Sequence, residues 1–184
     1  MKSFLKACIT TALAAGLAAC GGTTYIGDGN GHHLMLHDGV LTMHVHGQPD
    51  AVIDAAGDLR IANKPAALTS TQRELLKAYY AQVLNIRDAG IETGKAGAKL
   101  AGHAIGEVVS GLAHGDPDRI KSRIDDRAKD VEAKALVICD NLEALQKTQD
   151  AIAGTLPAFK PYATIEVRET SDCRSRTDRN GHDH

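Results

Sequence analysis

Between Pro117 and Thr155 an apolar residue returns at every seventh position: Ile124, Val131, Ile138, Leu145 and Ile152. Ala128, Ala135 and Leu142 fill the alternate seam. A seven-residue repeat keeps one stripe of a helix turned toward one partner, so the spacing predicts a long helix over 117–155 in a coiled-coil-like register. About 38 residues at 1.5 Å each extend roughly 57 Å, longer than a compact domain of this size needs. The partner stands just upstream. Leu76, Tyr79, Val83, Ile86, Leu100 and Val108 fall near one helical face of a segment predicted as helix over 69–113. Thr71 with Glu74, or Thr69 with Gln72, fits a capping box at its start. His114-Gly115-Asp116-Pro117 breaks the pattern, with Asp116 as cap and Pro117 as first residue of the second helix. So short a connection between two long helices makes them antiparallel neighbours, an αα-hairpin.

Gly90, Gly94, Gly97, Gly102 and Gly106 interrupt the first helix, each at a cost of up to about 1 kcal/mol against alanine. Two readings follow with equal weight: close helix–helix approach or a surface for a partner helix, or a kinked and locally broken helix. Lys95, Lys99, His103 and Glu107 exclude a membrane span here.

Residues 32–67 alternate with a period of two. His32 to His37 and Val40 to His46 flank Asp38-Gly39, a strong signal for a two-residue hairpin turn. Gly47-Gln48-Pro49-Asp50, Ala55-Ala56-Gly57 and Asn63-Lys64-Pro65 provide further turns, giving an antiparallel β-meander of short strands. After Pro157, the alternating run 163–168 reads as a C-terminal edge strand, and the polar residues 171–184 read as a disordered tail. The fold class is therefore α+β: a short antiparallel β-meander followed by a long antiparallel αα-hairpin, in one domain over 32–170. With only four Tyr, two Phe and no Trp, a thin helical hairpin is favoured over a deep aromatic-lined pocket. Lys+Arg total 21 against 23 Asp+Glu, which argues against a nucleic-acid partner.

The N-terminus carries an address. Lys2 and Lys6 precede a short, almost uncharged run from Ala7 to Ala19, the charged and apolar regions of a secretory signal. Its end and the two residues after it, Leu17-Ala18-Ala19-Cys20-Gly21, resemble the lipobox of bacterial lipoproteins. That resemblance implies cleavage after residue 19, diacylglycerol on Cys20, and stable membrane anchoring by two or more acyl chains. Gly21 in place of an acidic residue implies outer-membrane placement facing the periplasm. Residues 20–31 then read as a flexible tether.

Export also changes the cysteine count. Cys8 leaves with the signal and Cys20 carries lipid, leaving Cys139 and Cys173 in an oxidising compartment, where they most simply form one disulfide. It would close a loop of about 35 residues, worth roughly 3–4 kcal/mol in the chain-entropy model. A redox or metal thiol pair is the alternative, without the usual C-x-x-C spacing.

The predicted hairpin register puts His33 opposite His44, with His46 two residues along on the same face. Three neutral imidazoles within reach of one point suit Cu or Zn, and Met35 on that face would suit Cu(I). The competing reading is a solvated polar face. Ser110 lies outside any G-x-S-x-G elbow, and neither a phosphate loop nor a dinucleotide fingerprint occurs, so no catalytic residues are assigned.

The stretch Gly57-Asp58-Leu59-Arg60-Ile61, then Leu68-Thr69-Ser70-Thr71-Gln72-Arg73-Glu74-Leu75-Leu76-Lys77-Ala78-Tyr79-Tyr80, resembles the YggN-like family of bacterial envelope proteins, and Val137-Ile138-Cys139-Asp140 matches its late Cys. The resemblance covers about residues 34–155. It implies an exported protein and carries over no activity. The lipobox and the downstream Cys173 depart from the family pattern. Two functions are expected: a non-enzymatic, lipid-anchored periplasmic interaction or structural module meeting envelope partners through its helical hairpin, or a Cu- or Zn-binding envelope protein using His33, His44 and His46.

Overall fold

Single-face alternation produces a sheet with one buried side. The computed structural model describes residues 23–27, 31–114 and 117–182. Six strands, β1 (Thr24–Gly27), β2 (His33–His37), β3 (Val40–His44), β4 (Ala51–Asp54), β5 (Leu59–Ile61) and β6 (Lys64–Pro65), form one antiparallel sheet in sequence order. Asp38 and Gly39 both take positive φ, as a two-residue turn matched to strand twist requires. They fix the predicted register, with His33 opposite His44 and Leu36 opposite Leu41. Leu34, Leu36, Leu41, Met43, Ala51, Ile53 and Leu59 consequently share the buried face.

Three helices follow: α1 (Ser70–His114), α2 (Pro117–Thr155) and α3 (Val167–His182), with a 3₁₀ helix at Pro157–Tyr162 between the last two. Of the two capping boxes the sequence allows, Thr69 with Gln72 forms. Gln72 N–H donates to Thr69 Oγ1 (3.2 Å), and Thr69 N–H donates to Gln72 Oε1 (2.9 Å). The other half of the same amide, Gln72 Nε2, donates to the carbonyl of Thr155 (2.8 Å). One side chain thus satisfies the start of α1 and the end of α2, where helices leave backbone groups unpaired.

The base of the hairpin covers the sheet. Leu76, Tyr79, Val83 and Ile86 from α1, Leu145 and Ile152 from α2, and Phe159 and Tyr162 from the 3₁₀ helix join the sheet's apolar face in one core. Tyr79 packs edge-on against Phe159, with centroids 5.8 Å apart. Burial pushes the Tyr79 phenol pKa well up, so it stays neutral. Two other phenols tie the helical layer to the turns: Tyr80 Oη donates to the Gly39 carbonyl (2.9 Å) and Tyr162 Oη to that of Pro49 (2.6 Å).

Beyond this base the two helices continue as an arm. Among the described residues, none after Ile86 in α1 and none before Cys139 in α2 is buried. α1 runs unbroken through its glycines, and a Cβ added at Gly90, Gly94, Gly97 or Gly102 would meet nothing within 4 Å. At these four positions neither a break nor a close approach explains the glycine. Asp116 as helix cap lies outside the described residues.

Three boundaries differ from the sequence reading. Residues 163–168 are not an edge strand. The backbone N–H and C=O of Ile165, which a strand would offer to a neighbour, instead bond to the side-chain amide of buried Gln149, both at 3.0 Å. Residues 171–182, read as a disordered tail, belong to α3, held to α2 by the Cys139–Cys173 disulfide and by an Arg174–Asp140 ion pair. Within the expected tether, Thr24–Gly27 pair with β2 as β1.

The β4–β5 turn shows how tightly sheet and hairpin meet. Gly57 has φ +78, and a Cβ there would stand 2.5 Å from the Arg73 carbonyl oxygen and 2.8 Å from Lys77 Cγ in α1. Gly57→Ala is expected to lower unfolding free energy by about 2–5 kcal/mol in urea titration, the sum of left-handed strain and overpacking. Gly47→Ala, at φ +77 with nothing within 4 Å, should show only the strain, about 1–2 kcal/mol.

Candidate functional site

The outer face of the sheet gathers the histidines as the alternation requires, but as a stack. The His33 ring lies between Tyr25 (4.6 Å, 22°) and His44 (4.7 Å, 26°). Ring-nitrogen lone pairs lie in the ring plane, so near-parallel stacked imidazoles point them side by side and not at one ion. His44 Nδ1–H also donates to Asp50 Oδ1 at 2.8 Å, and His46 sits in the turn after β3. Among the described residues no group of three His, Cys, Asp or Glu is placed to hold a metal ion. Among the described residues His33, His44 and His46 are not brought together as the expected Cu or Zn site, because the His33 and His44 rings stack and His44 is turned to Asp50. Met35 lies opposite Tyr25 and Thr42.

The two late cysteines do meet. Cys139 and Cys173 form a disulfide with Cα atoms 5.7 Å apart, Cys139 being buried. It closes a loop that contains the end of α2, the 3₁₀ helix and the segment pinned by Gln149. α3 is thereby laid beside the β1–β2 edge of the sheet.

Between them lies a half-open cleft of about 600 Å³. Its apolar wall comes from Ile26 and Leu34 of the sheet, Leu142 of α2, and Ile165. Arg168 and Asp172, one helical turn apart on α3, also line it, as does Cys173 of the disulfide. Neither Arg168 nor Asp172 is ion-paired among the described residues, although i,i+4 spacing lets opposite charges meet. An apolar wall with a few convergent polar groups is the usual make-up of a small-molecule site, and the volume falls in the usual range.

The cleft is not visible from sequence, because alternation over 163–168 points to a strand and the polar composition of 171–184 to a tail. The opposite charges four apart at Arg168 and Asp172 were the available signal. Cys20 and the rest of the lipobox and signal segment lie outside the described residues. No protein-family model, no curated protein and no solved structure matches the chain.

The disulfide's contribution can be measured. Replacing both Cys139 and Cys173 by Ser is expected to lower unfolding free energy by about 3–4 kcal/mol. Circular dichroism should register lost helix, because the disulfide is the covalent tie that holds α3 on α2, beside the Arg174–Asp140 pair.

Proposed function

We propose that this chain is an exported, lipid-anchored protein of the cell envelope, fixed to the outer membrane through Cys20 and facing the periplasm. It acts by binding and not by catalysis. Its α1–α2 arm is the part that meets an envelope partner. The observation that carries this reading is the arm itself: two helices continuing well past the last buried residues, Ile86 and Cys139, with no third layer over them among the described residues. About 17 further residues of α1 up to His103 already extend roughly 25 Å, more than closing the core needs.

Supporting chemistry comes from both ends of the chain. The lysines, apolar run and Leu-Ala-Ala-Cys of residues 1–20 fit export and acylation. The Cys139–Cys173 disulfide suits a chain that folds where thiols oxidise.

Cell fractionation tests the anchor. The native chain should sediment with membranes and incorporate a palmitate analogue, whereas Cys20→Ser should do neither. A photo-crosslinking amino acid at Lys99 or Lys129, both on the arm, should yield adducts that the same probe at Lys64 in β6 does not. A soluble native chain defeats the anchor, and adducts only from Lys64 defeat the arm.

A further inference from the structure

We propose that the cleft between the β1–β2 edge and α3 binds a short free peptide, a dipeptide or tripeptide with apolar side chains. Its carboxylate lies at Arg168 and its ammonium at Asp172. This site is separate from the arm and does not depend on it.

Four observations select this ligand. Arg168 and Asp172 bring opposite charges to one cleft without pairing with each other, so a ligand with both signs satisfies each. Four residues of helix separate them by about 6 Å along the axis. Consecutive Cα atoms lie 3.8 Å apart, so the two ends of an extended dipeptide are separated by roughly 6 Å as well. The polarity has a direction too. Arg168 stands in the first turn of α3, at the helix end that favours negative charge, and Asp172 stands further in. Ile26, Leu34, Leu142 and Ile165 then offer the apolar surface that would cover the peptide's side chains. A lone fatty acid would use Arg168 and leave Asp172 facing an apolar tail, which the chemistry disfavours.

The wall carrying both charges is held by the disulfide at Cys173 and by the Gln149 amide on Ile165. Peptide affinity should therefore fall on reduction, even where the sheet and the base of the hairpin stay folded.

The test is calorimetry on the full chain carrying Cys20→Ser, with leucyl-leucine, N-acetyl-leucyl-leucinamide and octanoate as probes. Leucyl-leucine should bind saturably, and Arg168→Gln and Asp172→Asn should each weaken it about tenfold or more, as expected for a lost charge-assisted hydrogen bond. Both variants should melt as the parent does. The doubly capped peptide should bind at least tenfold more weakly than leucyl-leucine. Amide shifts on binding should map to Ile26, Leu34 and Ile165. Absence of saturable leucyl-leucine binding, equal binding of the capped peptide, or tighter binding of octanoate that ignores Asp172→Asn would each overturn the proposal.

Discussion

The structure depends on the burial of one apolar sheet face by the base of one helical hairpin. Short strands of two to five residues cannot hold themselves together in water. Leu41, Ile53 and Leu59 are fully covered because Leu76, Tyr79, Val83 and Ile152 lie over them. Each such side chain contributes about 1.5–3 kcal/mol by leaving water. Gln72 fixes the geometry of this contact by bonding the two helices together where they meet the sheet. The 3₁₀ helix, the Gln149 clamp and α3 are all placed from that junction.

Much of this was legible in the sequence, for identifiable reasons. Asp38-Gly39 admits one tight turn, and that turn sets the pairing of every residue in β2 and β3. The seven-residue repeat of Ile124 to Ile152 needs a facing helix, and α1 supplies it. What failed to show was long-range. Alternation over 163–168 is a strand signal only if the backbone is free to pair, and Gln149 had already taken it. A polar residue between Leu145 and Ile152 on the inner seam was the visible hint. The helicity of residues 171–182 is likewise imposed from α2 through Cys139 and Asp140, since the segment has almost no apolar face of its own. For the histidines, alternation gives the shared face, but face-sharing does not make nitrogens converge.

The two halves of the hairpin differ in what stabilises them. The base has the core. The arm has its seam, in which Ile124, Val131 and Ile138 are only partly covered, and a set of surface ion pairs such as Lys95–Glu92, Lys134–Asp130 and Lys129–Asp126. Exposed pairs of this kind add little. Lys95 lowers the Glu92 carboxyl pKa by a hydrogen bond and by its charge. Four glycines with empty space where a side chain would go weaken α1 further. A projection with so few buried contacts opens at lower free energy than its base.

That division between a stable base and a softer arm is the central claim, and native-state hydrogen exchange measures it directly. Amides of residues 76–86 and 139–152 should exchange only through global unfolding. Those of residues 90–103 and 122–136 should exchange through a smaller opening that lies well below the global free energy and responds weakly to urea. Equal protection and equal urea dependence along the whole hairpin would contradict the account.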